Sequence, residues 1–224
     1  MALKKNDFIE LEYLGRIKDN GIFDTNIKSE AAKLNMNIET RPYVICLGQG
    51  MILPSIDQFL IGKEPGKYEL DLSPEKAFGA RHKELVRTFP TSVFQAQKQN
   101  PVPGMVFYFD NLLGKVNSVS GGRVIIDFNN PLAGKFVVYS LSVNREITDI
   151  TEKAKALLVY FMQKDLPFRV ETGKVIVKCL KQEAQLLAIL KPKMKEILSL
   201  DIETEIEPEA KPETSANKEV NQNS

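Results

Sequence analysis

Cys46, Cys179 and His82 are the only cysteines and the only histidine in this sequence, and they bound its nucleophilic and metal-binding chemistry. A Ser-His-Asp or Cys-His mechanism would have to run through His82. That residue stands in the charged run Arg81-His82-Lys83-Glu84, the setting of an exposed loop histidine rather than a buried base. Two cysteines and one histidine cannot complete a structural zinc set without carboxylate help. Both cysteines sit in apolar, β-branched runs (Val44-Ile45-Cys46 and Val175-Ile176-Val177-Lys178-Cys179) and read as buried free thiols. A disulfide or redox pair is the other reading. The expectation is a protein with no metal and no cofactor.

Charge removes further classes. Thirty basic residues face 29 acidic ones, a net charge of +1, so no positive field exists to displace counterions from a nucleic acid. No apolar run approaches the ~18 residues of a membrane-spanning helix. Neither nucleic acid nor membrane is expected as a partner. The opening Met1-Ala2-Leu3-Lys4-Lys5 places charge where a secretory apolar region would lie, so a cytoplasmic location is expected. With 43% hydrophobic residues over 224 positions, the chain can build a real core as one large domain or two small ones.

The first 80 residues read as strands and turns. Phe8 to Leu14 alternates with period two, Asp19-Asn20-Gly21 supplies a hairpin turn, and Ile22-Phe23-Asp24-Thr25 returns. Pro42 to Leu47 and Lys67 to Leu72 are further strands. Leu53 to Leu60, with Pro54 near its start and Gly62 beyond its end, reads as one short helix. This composition predicts an α+β fold with an antiparallel sheet.

Residues 85–132 change character. Pro90, Pro101 and Pro103 punctuate them, Met105 to Asp110 and Val124 to Phe128 read as strands, and turns are expected at Leu113-Gly114-Lys115-Val116 and at Ser120-Gly121-Gly122-Arg123. The pattern suggests a mini-sheet inserted between two strands of a parent domain, which Phe136 to Val143 then closes. From Thr151, a plausible N-cap, the spacing of Ala154, Leu157, Leu158 and Phe161 is helical. A hairpin over 167–178 follows, then a helix from Glu183 to Leu200 that Pro192 should kink or divide, then a last alternating strand over 200–206. Residues 207–224 lack aromatics and read as a disordered tail.

Five blocks in order carry a resemblance. They are Tyr13-Leu14-Gly15-Arg16-Ile17, Gly21-Ile22-Phe23-Asp24-Thr25, Pro42-Tyr43 through Leu47-Gly48, Met51 to Asp57, and Ser73-Pro74-Glu75-Lys76-Ala77-Phe78-Gly79. Together they resemble FKBP-type peptidyl-prolyl cis-trans isomerases. The run Val124 to Lys135, with Asn129-Asn130-Pro131-Leu132-Ala133-Gly134 at its heart, resembles the SlyD-like branch, in which a small insert-in-flap domain interrupts the body and binds unfolded chains. The resemblance implies an isomerase domain over 1–84 plus 133–150, an insert over 85–132, and a C-terminal domain over 151–206. The last is similar by arrangement to that of long archaeal members.

The same resemblance implies the site. Tyr13, Phe23, Asp24, Leu53, Ile56, Phe78 and Tyr139 would form the catalytic pocket. Ile56 would be its floor, the Leu53 amide would bond a substrate carbonyl, and Asp24 would be the one carboxylate at the edge. Tyr43, Ile52 and Ala77 would touch substrate there; Met105, Phe107, Phe109 and Phe128 would do so in the insert. Phe78 departs from relatives that carry tyrosine, which removes one hydrogen bond of about 0.5–1.5 kcal/mol. Such a site makes physical sense without a nucleophile. Rotation about X-Pro takes tens to hundreds of seconds because amide resonance must break. The twisted amide has lost charge separation, so an apolar, water-poor pocket favours it over the planar ground state.

Met105, Phe107 and Phe109 would share one strand face, with Val106 and Tyr108 on the other. A sheet of under about 50 residues cannot bury both faces well, so apolar surface should remain exposed. The alternative is that both faces pack on the parent domain. The implied partners are unfolded or nascent proline-containing polypeptides and, in the pocket, a macrolide inhibitor; the helices of 151–206 would permit a homodimer. The competing function is a holdase chaperone or scaffold whose pocket does not catalyse.

Overall fold

A computed structural model of the chain describes residues 1–18, 20–34, 40–109 and 111–207. Asp19 of the expected hairpin turn and all of the expected tail beyond Glu207 lie outside them. The elements in chain order are β1 (Phe8–Ile17), β2 (Ile22–Thr25), α1 (Lys28–Lys33), β3 (Tyr43–Cys46), α2 (Pro54–Leu60), β4 (Lys67–Leu72), β5 (Val86–Pro90), α3 (Thr91–Ala96), β6 (Val106–Phe109), β7 (Leu112–Ser120), β8 (Arg123–Asp127), β9 (Val137–Ile147), α4 (Ile150–Met162), β10 (Phe168–Glu171), β11 (Lys174–Cys179), α5 (Lys181–Leu198) and β12 (Asp201–Ile206). The fold is α+β, and among the described residues the strands lie in three sheets.

The chain divides into two compact units. The first holds residues 1–3, 10–43 and 52–145; the second holds 4–9, 44–51 and 146 onward. In the first unit the main sheet runs β2-β1-β9-β4. β4 and β9 are antiparallel, with Leu70 opposite Tyr139 and Leu72 opposite Val137. The alternation read in the sequence is the inward face here: Leu11, Tyr13, Leu72, Val137, Tyr139 and Leu141 are buried. Helix α2 begins at Pro54, whose missing N–H is no loss in a first turn, and buries Ile56 and Leu60.

Between β4 and β9 the chain builds a second sheet, in the order β5-β8-β7-β6. Its inner face packs Val116, Val124 and Ile126 under Phe94 of α3, with Phe89, Phe107, Phe109 and Phe128 around them. Leu113-Gly114-Lys115-Val116 is not a turn; it lies within β7. Gly114 serves close packing instead, since a Cβ there would stand 2.5 Å from Ile126 Cγ2 and 2.6 Å from Phe128 Cε1. The turn at Gly121-Gly122 forms as read, with both residues at positive φ.

The second unit has its own core, in which Phe8, Cys46 and Ile147 pack with Leu157, Leu158, Val175, Val177, Leu187 and Met194. Both cysteines are buried, and neither forms a disulfide. The cap of α4 is Asp149 rather than Thr151; its Oδ1 accepts the Glu152 amide at 2.8 Å. Helix α5 runs through Pro192 undivided, with Leu187 and Leu190 buried before it and Met194 after it. That packing outweighs the lost backbone bond. β10 and β11 form the expected hairpin, and β12 joins β11 in parallel after the α5 crossover.

Candidate active site

A β-bulge sets the geometry of the site. On β1 and β2 Gly15 faces Asp24, but Arg16 faces Ile22, so Phe23 is the extra residue. In a regular strand Phe23 and Asp24 would point to opposite faces. The bulge re-aims one of them, and both reach the same cluster of rings. Phe23 packs edge-on against Tyr139 at 5.8 Å and against Phe78 at 5.6 Å. Asp24 accepts a hydrogen bond from the Tyr13 side chain.

The rings continue in the other direction. Tyr13 lies 6.2 Å from Tyr139 and 5.9 Å from Tyr43. Tyr43, Tyr13, Tyr139, Phe23 and Phe78 thus touch in one unbroken series drawn from β3, β1, β9, β2 and the loop after β4. Tyr13 and Tyr139 are buried, whereas Tyr43 is 40% exposed at the open end. Ile56 is fully buried on α2, and Ile52, Leu53, Ala77 and Phe78 are half-buried.

Residues outside the sequence-derived set hold these rings in place. The buried Asn26 accepts the Tyr13 amide through Oδ1 at 2.7 Å and donates Nδ2 to the Leu11 carbonyl at 2.8 Å. Thr25 Oγ1 donates to the Tyr13 carbonyl at 2.9 Å. Ser55 Oγ donates to the Lys76 carbonyl at 2.5 Å, tying α2 to the loop that carries Ala77 and Phe78. No local pattern signals Thr25 or Asn26, because their burial shows only in the fold.

The electrostatics are those of a dry site. Burial, then the nearby Asp24 charge, pushes the Tyr13 phenol well above its usual range. The same two causes push Tyr139 up to about 12. Burial raises Asp24 as well, against the lowering effect of its bonds from Tyr13 and the Thr25 backbone. Both phenols therefore keep their protons at neutral pH. Among the described residues no group of three or more His, Cys, Asp or Glu side chains could hold a metal ion.

The insert residues are placed differently. Phe107 and Phe109 pack on Phe94, and Phe128 on Phe109, as half-buried parts of the insert's own core. Phe109 stacks on Phe89 at 5.0 Å. Met105 does not share their face; it precedes β6 and is 41% exposed. The apolar surface left open is the opposite face, where Val106, Tyr108, Leu113 and Ile125 are exposed.

Comparison with known proteins places the chain among its relatives. The model of the FKBP-type peptidyl-prolyl cis-trans isomerase family matches residues 1–97, and that of the FKBP26 IF domain matches residues 87–132. The short-type peptidyl-prolyl cis-trans isomerase of Methanocaldococcus jannaschii is 29% identical over 146 residues, covering 63% of this chain and 92% of the relative. The SlyD isomerase of Haemophilus influenzae is 28% identical over 148 residues, covering 64% and 72%. A probable FKBP-type 16 kDa isomerase of Pseudomonas fluorescens is 30% identical over 116 residues, covering 49% and 76%. The bulged strand, its ring series and these relatives lead to one conclusion: the chain belongs to the FKBP-type peptidyl-prolyl cis-trans isomerases, in the SlyD-like group.

Proposed function

We propose that this protein rotates X-Pro bonds in unfolded or partly folded polypeptides, with catalysis in the aromatic cage and capture on the outer face of the insert. The observation that carries the reading is the unbroken series of five rings with a single carboxylate tied to it. A prolyl ring enters between Phe23, Tyr139 and Phe78, above Ile56. Water is excluded there, and the twisted amide, which carries less charge separation than the planar one, is favoured. The Leu53 amide orients the substrate carbonyl, with Ile52 and Ala77 beside it. Asp24 fixes the Tyr13 phenol and holds negative charge near the rotating group. No covalent step and no cofactor is needed. A macrolide inhibitor, which requires the same apolar walls, is expected to compete with peptide. A cytoplasmic location fits two buried cysteines that form no disulfide.

Capture rests on the exposed side chains of Val106, Tyr108, Leu113 and Ile125. A client held there meets the pocket at raised effective concentration. The test is the pair Tyr108→Ser and Leu113→Ser in the full chain. Rotation in a short X-Pro peptide should stay at the wild-type rate, while proline-limited refolding of a protein substrate slows several-fold. Equal rates on both substrates would remove the capture role.

A second reading, a holdase with a weak pocket, is favoured by Phe78, which offers no hydroxyl to a substrate carbonyl. Pairing of two chains through 151–206 is supported by a groove on α4 and α5 lined by Phe161, Leu186 and Ile189, the last 77% exposed. Sedimentation across a concentration series tests it.

A further inference from the structure

The two chain crossings between the isomerase body and the insert, residues 79–86 and 127–134, are bonded to each other along their length. The Gly134 amide donates to the Gly79 carbonyl at 2.8 Å and the Phe128 amide to the Leu85 carbonyl at 2.9 Å. Asn129 spans the gap with its side chain. Its Oδ1 accepts the His82 amide at 2.8 Å, and its Nδ2 donates to the His82 carbonyl at 2.9 Å. The side-chain amide thus pairs both backbone groups of His82 as a neighbouring strand would.

Asp127 locks that side chain in turn. Its Oδ1 accepts the Asn129 amide at 2.9 Å and Asn129 Nδ2 at 2.7 Å, while its Oδ2 accepts from Arg81 Nη2. The Asp127 side chain is 15% exposed. Burial opposes its ionisation, but the bonds from Arg81 and Asn129 prevail and hold its carboxyl down at about 2. A lone surface ion pair contributes little, but a carboxylate accepting several bonds in a network fixes geometry.

Two bare crossings would make a pivot. These are cross-linked from Gly79, next to the pocket residue Phe78, to Asp127, two residues beyond the exposed Ile125 of β8. We infer that Arg81, Asp127 and Asn129 form a clasp that holds the insert at a fixed angle to the pocket, and that they are positioning residues for action on long chains. The inference rests on the capture reading above. Tethering raises local concentration only when one client can reach both sites, so the angle of the insert decides whether capture helps.

Asn129→Ala removes the bonds to His82, and Asn129→Asp also sets a second carboxylate against Asp127. In the full chain, kcat/KM on a short X-Pro peptide should stay within about two-fold of wild type for both variants. On a proline-limited refolding protein it should fall at least five-fold, through KM, and further for Asn129→Asp. Dyes on exposed sites of the insert and the body should report a broader distance distribution. Unchanged protein-substrate rates, or equal losses on peptide and protein, would overturn the clasp. The Tyr108→Ser and Leu113→Ser variants run alongside. If they match wild type on the protein substrate, the capture reading fails and the clasp's role with it. If they lose rate while the Asn129 variants do not, the clasp alone fails.

Discussion

Gly15 lies directly under Phe23: a Cβ at position 15 would stand 2.8 Å from Phe23 Cζ and 3.0 Å from Tyr139 Cε1. The ring sits there because β2 bulges at Phe23, opposite the Gly15–Arg16 step of β1. Glycine at 15 is thus a packing requirement of the cage. Gly15→Ala should lower stability by about 1–3 kcal/mol, as overpacked cores do, and reduce peptide isomerisation roughly ten-fold by displacing Phe23. Thermal melts and a peptide assay check both. An alanine variant that matches wild type in both would mean that Phe23 does not need its present position.

Asp24 offers a test by pH. Burial raises its carboxyl in the fold, so relative to an uncharged residue it contributes stability that is full below its unfolded value of about 3.9. That contribution is lost as pH rises through the folded value. Asp24→Asn keeps an acceptor for Tyr13 without the charge. It should be at least as stable as wild type at pH 7, and the difference should shift toward wild type below about pH 4. Urea melts at the two pH values measure this, and a difference that does not move with pH would contradict it.

The phenols give the alkaline counterpart. Tyr139 is raised to about 12 and Tyr13 is raised too. Their contribution is complete below the usual tyrosine value of about 10 and is lost as pH climbs toward 12. Stability should fall across that window, and Tyr139→Phe should flatten part of the slope. Phenolate absorbance followed alongside unfolding separates the two events; early ionisation without loss of structure would show the phenols to be open to water.

Phe78 invites a gain of function. A hydroxyl at its ring edge would supply one hydrogen bond, about 0.5–1.5 kcal/mol, so Phe78→Tyr should raise peptide kcat/KM about two- to ten-fold. A lower rate in a variant that melts like wild type would place the Phe78 ring edge away from the substrate carbonyl.

The sequence exposed some of this and hid the rest for definite reasons. Strands with clean alternation, such as Lys67–Leu72, and helices with strong apolar spacing, such as Ile150–Met162, were legible because burial follows their periods. Helices α1 and α3 were not: each has six residues and no side-chain cap, and α3 is anchored by Phe94. β5 was hidden by Pro90, which an edge strand tolerates. Gly114 read as a turn because a glycine chosen for close packing looks like one chosen for its backbone. The rings of the cage were named through family likeness. The bulge that lets Phe23 and Asp24 serve one site was not, because period-two alternation assigns neighbours to opposite faces. Asn26, Thr25, Asn129 and Asp127 act through contacts 12 to 47 positions away, which no local pattern reports.

Rotation of X-Pro bonds by the ring cage is best measured as cis-to-trans exchange in a short X-Pro peptide. Wild type, Tyr13→Ala and Asp24→Ala should be compared at equal concentration, with folding verified by circular dichroism. Wild type should accelerate the exchange, and each variant should lose at least ten-fold of that acceleration. A folded wild type that leaves the uncatalysed rate unchanged would contradict rotation by the cage and leave the insert, acting as a holdase, as the working part of the molecule.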